Sequence, residues 1–293
     1  SSTHIQALST AGIASLTADQ FKTLSTDQLN ALNTSQVTAL TSLQISSLTG
    51  GQLSKLSTAQ FRALTGAQLT ALTTGQMSSL STAQLASITA AQASAIETAD
   101  LAKLSTAQLG ALSTVGAAAL TNAQLVALTT DQAAGLGTTQ LAALTATQVG
   151  AMETADMVAM STAQVAALNT TQVSALTAGM VTALSTAQVV ALGTGNVSAL
   201  TDTQVRALTT GSVAALSTAQ VAVLTTGQVS ALTAGSIGAL STDQVEVLGS
   251  DQLRALTNTQ VAGLLSSQLR ALTTEQLEAF TASQFNAMTG AQV

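Results

Sequence analysis

Very few residues in this chain could form a reactive centre. His4 is the one histidine, and the chain has no cysteine. Metal binding or general acid–base catalysis needs a second ligand or an orienting group. His4 has neither a Cys nor an acidic cluster beside it, and it fills a position that elsewhere holds Gln, so it reads as structural. Two identical stretches, Glu97–Asp100 and Glu153–Asp156, spell Glu-Thr-Ala-Asp. Paired carboxylates at that spacing suit either a weak calcium site or the positive end of a helix dipole. The second reading needs fewer assumptions. Gly193–Asn196, Gly-Thr-Gly-Asn, resembles a phosphate loop only in its glycines, since no Lys follows and no strand-like run precedes it. Serine hydroxyls are plentiful, but none has a base at nucleophile spacing. The expectation is a protein with no catalytic residue, no cofactor and no metal site, and therefore not an enzyme.

Composition narrows the partners. Seven Lys and Arg face thirteen Asp and Glu, for a net charge of −6 over 293 residues. No basic patch exists to neutralise a phosphate backbone, which argues against nucleic acid. Ser, Thr or Gln interrupts every apolar run, so membrane insertion is not expected. The N-terminus lacks the basic and apolar regions of a signal peptide, and the chain reads as an excerpt of something longer. Aromatics are 1% of the residues and Pro is absent. Such bias points to a repeat and not to a globular core built on large rings.

Numbering in eights reveals that repeat. Every multiple of eight from Leu8 to Met288 is a large apolar residue, Leu in 30 of 36 cases. Column five is apolar in all 37 octads, from Ile5 to Val293, with only Ala93, Ala117 and Ala133 small. Column four is Gln in 28 of 37 and column one is Ser or Thr in 29 of 37. Column seven is mostly Ala, and column six accepts anything. No insertion disturbs the register, so residues 1–293 read as one uninterrupted octapeptide-repeat solenoid without a linker.

An octad cannot continue as one helix. Eight residues rotate through about 800°, so an apolar stripe would drift by about 80° per copy. The chain must break once per unit. In a helical reading, column one is an N-cap and column four completes a capping box, S/T-x-x-Q. In the alternative, a β-solenoid stacks Thr and Val segments into ladders. Charge position separates the two. Eleven of thirteen acidic residues fall in columns one to four, and all seven basic residues fall in columns six and seven. That polarity complements a helix dipole and has no counterpart in a β-coil. The fold class expected is all-α: a solenoid of very short capped helices, one per octad. Columns five and eight would fill a continuous core, while column six faces water.

Two resemblances follow from the repeat text. Leu184–Leu192, LSTAQVVAL, is similar to the first helix of the DNA-reading repeats of TAL effectors. The octad has no room for their second helix or base-reading loop, and DNA binding is not carried over. The whole chain, through its LTTxQVxAL-type units, resembles the long repeat tracts of very large secreted bacterial surface proteins of the adhesin type. That resemblance implies an extracellular or cell-surface rod, stalk or filament with no catalytic residues. The partner expected is the chain itself, through neighbouring repeats or end-to-end copies. A self-assembling fibre subunit is the alternative, as is an ice- or glycan-binding module that uses the Thr and Gln faces.

Overall fold

Column one does start a helix. Ser57 Oγ accepts from the Gln60 backbone N–H at 3.2 Å, and Gln60 Oε1 accepts in return from the Ser57 N–H at 2.9 Å. The same reciprocal pair forms at Thr17, Ser25, Asn33 and on through the chain, satisfying two donors that a helix start would leave bare. The helix lasts little more than a turn. Leu64 at column eight is extended (φ −61°, ψ 136°), and so is the next cap, Thr65 (φ −75°, ψ 162°). Two extended residues reset the direction of the chain between such octads, whereas at the junction before octad 25 Leu192 stays helical (φ −56°, ψ −29°). The result, in a computed structural model that describes residues 1–292, is 36 helices of four to seven residues. No strand occurs among the described residues. The β-solenoid alternative is thereby set aside. Val293, the final column-five residue, lies outside the described residues.

The chain divides into two compact units, residues 1–152 and 153–293, each built on the same plan. Within each unit, the helices that pack closely are three octads apart: octad 5 with 8, octad 12 with 15, octad 26 with 29. The approach is tight because the facing columns are small. A Cβ added at Gly66, in column two, would lie 3.3 Å from the Cβ of Ala95, in column seven three octads on. Short helices could not survive alone in water; here each is clamped by its neighbours one superhelical turn away.

Columns five and eight form the core. Ile13, Leu53, Leu109 and Val213 are fully buried, as are the small Ala93, Ala117 and Ala133. Leu32, Leu112 and Leu216 at column eight are buried with them. Column six stays at the surface, where Val126, Val158 and Val190 keep 40–49% of their area exposed. The expected division into core and water-facing columns holds in both units except near their outer ends, where Leu8 and Phe285 are exposed. Among the column-one exceptions, Gly137 and Gly249 keep the extended cap conformation, whereas Gly193 adopts a positive φ of 74°.

Replacing a core residue tests this division. Leu109→Ala is expected to destabilise the chain by about 2–5 kcal/mol in a denaturant titration, and Val126→Ser by less than about 0.5 kcal/mol.

Candidate functional site

The residues that could do chemistry are scattered. His4 is exposed on the first helix, Ser2–Ala7. Among the described residues, no three His, Cys, Asp or Glu side chains come together to hold a metal ion. Glu97 occupies a cap position without making a side-chain cap bond, and Asp100 is buried in the column-four slot. Gly193–Asn196 is no phosphate loop. It opens a seven-residue helix, and the Asn196 side chain turns inward to donate to the Leu168 carbonyl at 2.7 Å. The second-position threonines Thr26, Thr58 and Thr74 are exposed. None of the described helices is long and apolar enough to cross a membrane.

The organised polar feature is the Gln column, and it does more than cap. From Gln36 onward the side chains are mostly buried. Gln44 Nε2 donates to the carbonyls of Ile13 and Leu16, each at 2.8 Å. Gln60 reaches Leu29 and Leu32 at 2.8 Å, and Gln204 reaches Val173 at 2.8 Å and Leu176 at 2.7 Å. The acceptors are the column-five and column-eight carbonyls of the octad four units earlier. Each such carboxamide thus spends its oxygen on its own helix start and both N–H groups on the end of another helix. The column-eight carbonyl belongs to the set that a helix terminus leaves without partners, whereas the column-five carbonyl also accepts a backbone N–H, as Ile13 does from Leu16 at 3.2 Å. Gln20 and Gln28, which have fewer than four octads before them in this chain, make the cap bonds.

Hydroxyls on the outside make a second, sparser set of ties. Thr38, Ser174 and Thr182 in column six donate to the column-seven carbonyls of Ala63, Ala199 and Ala207, three octads later, at 2.8–3.1 Å. Contacts at three octads and bonds at four place one superhelical turn between three and four octads.

A family model for the ALTTAQ repeat matches seven stretches: residues 50–82, 93–130, 149–185, 180–210, 203–234, 234–266 and 261–293. The chain belongs to the ALTTAQ repeat family. The family's letters correspond to columns seven, eight, one, two, three and four, as in Ala183–Gln188. Each matched ALTTAQ stretch is about four octads long, the distance that one glutamine spans. No curated protein sequence matches the chain.

The double role of the ALTTAQ glutamine is testable by side-chain replacement. Gln204→Met removes the bridge and the bond to the Thr201 N–H, and is expected to cost about 1–3 kcal/mol for the Leu176 carbonyl left unpaired, since the Val173 carbonyl keeps the Leu176 N–H. Gln28→Met, which loses only the bond to the Ser25 N–H, is expected to cost less in the same urea titration.

Proposed function

We propose that this ALTTAQ repeat chain is a structural element: an extended spacer in a bacterial cell-surface or extracellular assembly, acting by its architecture and not by catalysis. The observation that supports this most directly is the fate of the Gln column. Its regular polar groups point inward and are consumed by helix ends, so the feature most able to recognise a ligand is spent on holding the array together.

The surface is consistent with a passive role. One exposed ion pair forms among the described residues, Asp251–Arg254 at 4.0 Å. A pair of that kind adds little to stability and offers little to a charged partner. Columns two, three and six present mainly small polar or aliphatic groups to water, which favours a surface that binds weakly and spaces its flanking parts.

The test is size-exclusion chromatography with light scattering and small-angle X-ray scattering over a concentration series. A monomer of constant, elongated dimensions is expected. Growth into end-to-end polymers would replace the spacer reading with a self-assembling filament, and a compact particle would remove both. Surface labelling of cells that produce the protein tests the location.

A further inference from the structure

The Gln ladder is not uniform. In octads 5 to 12 every column-four residue is Gln, and the same is true of octads 31 to 37. Octads 23 to 30, residues 177–240, lose half of theirs: Met180, Asn196, Ser212 and Ser236 take the place. Ser212 and Ser236 are buried, but their side chains are too short to cross a turn. Ser212 Oγ lies 2.9 Å from Thr209 Oγ1, and Ser236 Oγ lies 2.9 Å from Thr233 Oγ1, inside their own octads. Among the described residues, the carbonyls of Leu184 and Leu208, where a glutamine at 212 or 236 would donate, receive no side-chain amide from those positions. Asn196 supplies one bond to Leu168, and the thioether of Met180 has no N–H to give.

Two further weaknesses fall in the same stretch. Seven of the chain's 20 glycines are here, where a helix interior disfavours them. Octad 25 also lacks a side-chain cap and begins at Gly193, whose positive φ is the sole example among the described residues.

We propose that residues 177–240 form a built-in yield segment, which opens as a local unit while the fully bridged octads stay closed. In a linear array each octad is held only by neighbours within four units, so local losses of bridging are not averaged over the chain. Under tension this segment gives way first and lengthens the chain without releasing the whole. Local opening is a matter of relative stability, and it stands or falls independently of where the protein resides.

Native-state hydrogen exchange of the full chain, read by mass spectrometry, is the test. Core amides of residues 177–240 are expected to exchange at least tenfold faster than those at the same columns in residues 41–96 and 241–272. The double variant S212Q/S236Q, which copies the neighbouring octads, is expected to slow exchange there and leave the reference segments unchanged. The reverse variant Q84S/Q92S, which removes bridges to Leu56 and Leu64 inside residues 41–96, is expected to create a second fast segment. Uniform protection along the chain, or a pattern that the variants do not move, would overturn the proposal.

Discussion

Everything in this fold rests on one side-chain amide placed between two helix ends. A helix of five or six residues has at least as many unpaired backbone groups as paired ones, which is why such helices do not persist in isolation. Here a glutamine accepts at the start of its own helix and donates to the end of a helix four octads earlier, as Gln44 accepts from the Thr41 N–H and donates to the Ile13 and Leu16 carbonyls. It is buried while doing so, in a medium where an unpaired carbonyl is costly and a paired one is strong. The apolar columns supply cohesion that is not directional. The amide supplies register, because it reaches its acceptors only when successive turns are correctly staggered.

This arrangement repeats the logic of the α-helix one level up. Residues within a helix meet at three and four positions apart; these octads pack at three and are bridged by glutamine at four. In the α-helix the tie is a backbone amide. In the superhelix it is a side-chain amide, so the tie can be removed by mutation at a single position, as Ser212 and Ser236 show.

Much of this was legible in the text of the chain. The caps at column one, the buried columns five and eight, and the exposed column six follow from period and residue type alone. So does the helical choice, through the acid-first, base-last polarity of each octad. The sequence does not separate a Gln that ladders along the solenoid from one that only caps, because a capping box already accounts for Gln after Ser or Thr. A signal for bridging was nonetheless present. A capping box accepts Glu as readily as Gln, yet none of the 37 column-four residues is Glu. A carboxylate can take the helix-start N–H but has no hydrogen to give a carbonyl. The number of octads per turn was not readable, since a strict period of eight states how the chain breaks and is silent about which copies meet. The candidate sites followed the same division. The sequence marked His4, the Glu-Thr-Ala-Asp pairs and Gly193–Asn196 as unusual, but only the fold shows Asn196 acting as a shortened glutamine.

The confinement of every tie to three or four octads also bears on how such a chain can change over generations. A copying slip that adds or deletes whole octads leaves each surviving amide facing the same kind of carbonyl, and the fold accommodates it at any point. A slip of any other length moves column four off its acceptors for the next full turn. The array therefore tolerates changes of length in steps of eight residues, each step leaving the local structure as it was.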